Sequence, residues 1–134
     1  MGEYVAKLEI PASRPEDNPA EATVEIEGEI LSELAYLIPS GWCALAHFAV
    51  FYGIRQVYPE EADTWATGDS LHRAVPFRWP IPERKVKLTI KGWNEDSVNP
   101  HTVYLWLLTA PEEEARPWKI LSDFVAILKK LMGL

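Results

Sequence analysis

A two-residue rhythm constrains this chain more than any other feature. Lys85 to Lys91 places Val86, Leu88 and Ile90 on one side and Lys85, Lys87, Thr89 and Lys91 on the other. Ala22 to Ile30 repeats the pattern, with Val24, Ile26 and Ile30 opposed to Glu25, Glu27 and Glu29. Residues 3 to 10 set Tyr4, Ala6, Leu8 and Ile10 against Lys7 and Glu9. A helix would wind such residues onto every side, whereas a strand sends alternate side chains to opposite faces. Each segment therefore predicts a strand with one buried face.

The chain has 134 residues, room for one domain with one core. Its 48% hydrophobic and 25% charged residues exclude wholesale disorder, and 11 prolines against 7 glycines favour short segments joined by stiff turns. Residues 33 to 38 predict a further strand, ended by Pro39-Ser40-Gly41. Residues 42 to 52 are apolar on both alternations, which predicts a strand covered on both faces, with a buried helix as the competing reading. Ile54 to Tyr58 continue past a bulge at Gly53 until Pro59. A polar loop follows over 59–70, then a strand near Leu71 to Val75. A passage through Pro76, Pro80 and Pro82 leads to the next element. Gly92 to Pro100 predict an acidic loop, and His101 to Thr109 the last strand. Seven to nine short strands at this spacing predict a mainly β fold, an antiparallel, jelly-roll-like β-sandwich over residues 1–110.

The tail, 111–134, changes period. Pro117 suits the first position of a helix and Gly133 its end. At 100° per residue, Ile120, Leu121, Phe124, Val125, Ile127, Leu128, Leu131 and Met132 share one half of the cylinder, with Trp118 at its edge. The bland reading is that this amphipathic helix closes its own sandwich, and a membrane-surface role is a further alternative. The functional reading makes Trp118, Leu121, Phe124, Val125, Leu128, Leu131 and Met132 an interface with another subunit.

Net charge is −7, unevenly spread. Residues 1–40 carry nine acids against Lys7 and Arg14, whereas Arg73 to Lys91 carry six bases against Glu83 alone. That pattern suits self-complementary contact, and a nucleic-acid partner is not expected of so acidic a chain. The alternating Glu25, Glu27, Glu29 and Lys85, Lys87 would face one another if their strands are neighbours, serving fold and assembly equally, or both rows could simply be solvated.

No catalytic, cofactor or metal motif emerges, so a non-enzymatic role without cofactor is expected. Cys43, the single cysteine, forms no internal disulfide, and its apolar neighbours predict burial. In a strand it would lie about 13 Å from His47, too far for a nucleophile and its base. His47, His72 and His101 lack metal-site spacing. The acids Glu60, Glu61, Asp63, Asp69, Glu95 and Asp96, with Asn94, lack the spacing of a calcium loop. Among the aromatic residues, Trp65 and Trp93 in polar loops are the candidates for a sugar-stacking platform, while core filling accounts for Trp42 and Trp106. No run approaches 18 apolar residues and no basic leader precedes Pro11, so a soluble protein made in the cytoplasm is expected. The scarcity of amides, with Gln56 the only glutamine, hints at a thermophilic source.

The turn Ile38-Pro39-Ser40-Gly41, the stretch Tyr52-Gly53-Ile54-Arg55-Gln56 running to Pro59, Gly68-Asp69, and Gly92-Trp93-Asn94-Glu95-Asp96 before Pro100-His101-Thr102 give the chain a recognisable layout. Over roughly residues 36–108 it resembles small β-sandwich structural proteins of phages and related particles. The resemblance implies action by assembly, in which subunits coat, decorate or cap a larger particle, with shell proteins or further copies as partners. It carries over no individual site, and such a subunit does not need the terminal helix.

Overall fold

A computed structural model describes residues 2–112 and 117–133, and the side chains of residues 117–123 lie outside that description. Eight strands form two four-stranded antiparallel sheets. They are β1 (Gly2–Ile10), β2 (Ala20–Glu27), β3 (Ile30–Ile38), β4 (Ala46–Tyr52), β5 (Arg55–Tyr58), β6 (Leu71–Pro80), β7 (Lys85–Asn94) and β8 (His101–Ala110). One sheet has the order β1-β8-β3-β6 and the other β2-β7-β4-β5, the crossing pattern of an eight-stranded jelly roll. A 15-residue helix, α1 (Pro117–Leu131), follows. Among the described residues, no helix is long and apolar enough to cross a membrane.

The alternation seen in the sequence becomes the core. Leu8, Ile10, Leu34, Tyr36, Leu105 and Leu107 from one sheet meet Ile26, Phe48, Val50, Leu88 and Ile90 from the other, all buried. The side chain of Ile10 fills the space beside Gly92, where a Cβ would stand 2.6 Å from Ile10 Cδ1. Trp42 closes one end of the core and donates its indole N–H to the carbonyl of Thr102 at 3.1 Å.

Several boundaries differ from the sequence reading, each for a local reason. Ala22 to Ile30 is not one strand: the chain turns at Gly28, whose φ of 151° is open to glycine, and Ile30 opens β3. The segment 42–52 becomes a strand only from Ala46. Before it, Cys43 and Ala44 both adopt positive φ (48° and 58°), and Leu45 N–H closes the turn onto Trp42 O at 2.8 Å. Cys43 is therefore exposed rather than buried. β6 runs through Pro76 to Pro80 because it lies at the sheet edge, beside a register shift in β3 between Leu31 and Glu33. β7 extends to Asn94, past the expected loop start, because Trp93 and Asn94 pair with His47 and Ala46 of β4.

Candidate functional site

Phe124, Val125, Ile127, Leu128 and Leu131 on α1, with Met132 in the turn that follows it, are 41% to 79% exposed. The other residues assigned to this face, Trp118 and Leu121, lie outside the described side chains. Six apolar side chains of the helix and its closing turn thus meet water. Soluble surfaces carry single apolar residues freely, and a contiguous exposed set of this kind makes the α1 face a candidate interaction surface.

The charged rows come together on the β2-β7-β4-β5 sheet. β2 and β7 are antiparallel neighbours, with Glu25 opposite Lys87, Glu27 opposite Lys85 and Glu21 opposite Lys91. Lys85 reaches diagonally to Glu25 (Nζ to Oε1, 3.0 Å), and Lys91 straight across to Glu21 at 3.7 Å. The Lys85 ammonium lowers the pKa of Glu25, and the Glu25 carboxylate raises that of Lys85. Both are exposed, so solvent screens the pair. Glu29 does not join this row: it sits in the β2–β3 turn, where its carboxylate accepts the Glu112 N–H at 3.1 Å.

The structure brings Trp65 and Trp93 together, though not as a flat platform. Their ring centroids are 6.2 Å apart with the planes at 84°. Trp93 belongs to β7 rather than to a loop and stacks on His47 at 4.0 Å, with its indole nitrogen buried. His47 Nε2 in turn meets the Glu95 carboxylate at 2.9 Å. Trp65 is half-buried and lines a cleft of about 470 Å³ at the side of the sandwich where edge strands β5 and β6 flank the gap between sheets.

Tyr36, Tyr58, Trp65 and Phe77 wall that cleft, with Arg73, Glu60 and Thr67 as its polar groups. The Tyr36 and Tyr58 hydroxyls are hydrogen-bonded at 3.0 Å, and burial raises the pKa of Tyr58. One wall is tied down: the Gln56 side-chain amide donates to the carbonyls of Pro59, Glu61 and Thr64, and Phe48 and Ala66 exchange two backbone bonds. Such a slot needs little reorganisation to receive a ligand. Tyr36, Tyr58, Phe77 and Arg73 were not among the sequence candidates, because sheet order alone brings β3, β5 and β6 to one side.

A second feature was also missed. The outer face of the β1-β8-β3-β6 sheet is apolar at its centre, where Val5, Trp106, Ala35 and Ala74 stand in one row across all four strands. Trp106, expected in the core, lies half-buried on this outer face. The signal was present in HTVYLWLLT, which is apolar on both alternations.

No protein-family model matches the chain, and no curated protein matches it in sequence. Among solved structures it is similar to Aeromonas hydrophila PliG, a periplasmic lysozyme inhibitor of g-type lysozyme, at 16% identity and a TM-score of 0.46, over 80% of this chain and 89% of that one. A chain of the cyanophage Pam1 capsid asymmetric unit is similar at 13% identity and a TM-score of 0.47, over 79% and 81% of the two chains. A CBM4 structure is similar at 16% identity and a TM-score of 0.40, over 75% and 78%.

Proposed function

We propose that this protein is a non-enzymatic assembly subunit, which forms a homo-oligomer through α1 and, as that oligomer, coats or decorates a larger, virion-like particle. The observation that carries this reading is the exposed apolar face of α1. Burying its six described side chains, at about 1.5–3 kcal/mol each, is on the order of 10 kcal/mol gross, before association and ordering offset part of it. A second copy is the counterpart because the described residues carry another solvent-exposed apolar face, on the outer side of the β1-β8-β3-β6 sheet.

Light scattering on the eluted full chain tests this. The expected result is a defined oligomer at micromolar concentration, converted to monomer by Phe124→Gln with Leu131→Gln while the β-sheet circular dichroism persists. A wild-type chain that runs as a monomer at that concentration overturns it.

A second reading, saccharide binding, is supported by one observation. Trp65, with Tyr58 and Phe77, offers ring faces in a preformed cleft beside Arg73 and Glu60, whose planar charged groups can bond vicinal hydroxyls. In this form the reading relies on Trp65 alone of the two tryptophans, since the Trp93 indole N–H is buried.

A further inference from the structure

We propose that the apolar arc of α1 from one copy packs on the outer face of the β1-β8-β3-β6 sheet of a second copy; the inference rests on the assembly reading and names the surface that receives the helix. The two outer faces of the sandwich differ in kind. On the β2-β7-β4-β5 sheet the outward residues of β2 and β7 are Glu21, Thr23, Glu25, Glu27, Lys85, Lys87, Thr89 and Lys91, polar as expected of a sheet with water on one side, with Trp93, stacked on His47, at the end of the β7 row. On the other sheet, Val5 stands opposite Trp106, Trp106 opposite Ala35, and Ala35 opposite Ala74. The next row aligns Lys7, Tyr104, Leu37 and His72.

Strands lie about 4.8 Å apart, so each row spans roughly 15 Å, wide enough for a helix about 10 Å across. Trp106 and His72, on strands separated by β3, bring their ring centroids to 6.4 Å and form a ridge beside which Phe124, Leu128 and Leu131 can rest. Among the described residues, both surfaces are open to solvent: Val5 is 62% exposed and Leu37 36%, and the α1 residues are 41% or more exposed. Charge agrees with the pairing. Glu3 and Glu9 of β1 and Glu33 of β3 border the apolar rows, and the last turn of α1 carries Lys129 and Lys130. Lys7 is the one base on the β1 side, and its ammonium lies 5.9 Å from the centre of the Tyr104 ring. A single helix on a single sheet is a small contact. Exchange, in which each copy gives one helix and receives another, doubles it toward the ~1,200–2,000 Å² of stable interfaces.

Disulfide trapping tests the arrangement in full-length chains carrying Cys43→Ser. Mixing the Val5→Cys chain with the Leu128→Cys chain under mild oxidation should give the mixed dimer in excess over either symmetric one. An oligomer by light scattering that instead links Leu128→Cys to Leu128→Cys, or a doubly substituted chain that closes on itself, overturns this inference and leaves the assembly reading standing. A monomer with no interchain link overturns both. Val5 is exposed, so Val5→Lys should fold as the parent does and weaken association by at least about tenfold, while Val5→Ile should not. Equal association by both variants also overturns the proposal.

Discussion

Asp96 shows how much one carboxylate can organise. Its Oδ1 accepts the N–H groups of Val98 and Asn99 at 2.9 and 3.1 Å, and Oδ2 meets His101 Nε2 at 2.9 Å. Asn94 completes the loop by donating to the carbonyls of Ile10, Pro11 and Asn99. These bonds favour the charged form, the two backbone N–H groups most, and hold Asp96 at a pKa of about 2. An unfolded aspartate titrates near 3.9, so the folded value is depressed. The stabilisation is complete above about pH 4 and is lost as pH falls through about 2. Thermal unfolding followed from pH 5 to 2 should therefore show a falling midpoint, and Asp96→Asn should flatten that part of the fall. An unchanged profile in the variant would assign the acid sensitivity to other groups. Nothing in GWNEDSVNP revealed this role. The bonds of Asp96 to Val98, Asn99 and His101 are local, but the carbonyls of Ile10 and Pro11 that anchor Asn94 come from β1 and the residue after it, far away in sequence.

At the scale of elements, the charged ladder between β2 and β7 makes a salt-dependent prediction. Reversing both Lys85 and Lys87 to glutamate places acids opposite Glu27 and Glu25. The thermal midpoint should drop in low salt, and the difference should shrink at about 1 M NaCl, where the screening length is near 3 Å. A difference independent of salt would mean that the lysine stems matter through packing instead. The strands themselves were largely legible. Clean alternation located β1, β2 and β7, because in each a single face is buried and the opposite face is polar. Legibility failed where backbone conformation overrode side-chain pattern: at Gly28, at the left-handed pair Cys43 and Ala44, and along β6, where prolines look like loop until the strand is known to be an edge. Pairing order was not legible at all, since it depends on contacts between residues as distant as Gly2 and Thr109.

At the scale of the molecule, the sandwich has two unlike broad faces and one open flank. The apolar arc of α1 was legible because helical period and composition both mark it. The aromatic cleft was not, because it exists only once two edge strands are brought to the same side. If that cleft binds saccharide, oligosaccharide titration should quench tryptophan emission, and filling the slot with Val75→Trp should abolish the response. Quenching that survives the filled slot would dismiss the saccharide reading.

The rims of the two sheets have their own consequence. β5 is only four residues long, and β6 carries Pro76 and Pro80, which offer no N–H to an incoming strand. Lateral growth into a continuous hydrogen-bonded ribbon is thereby blocked along this flank. Under the proposed assembly, contact between copies along this flank therefore rests on side-chain fit rather than on a shared backbone ladder.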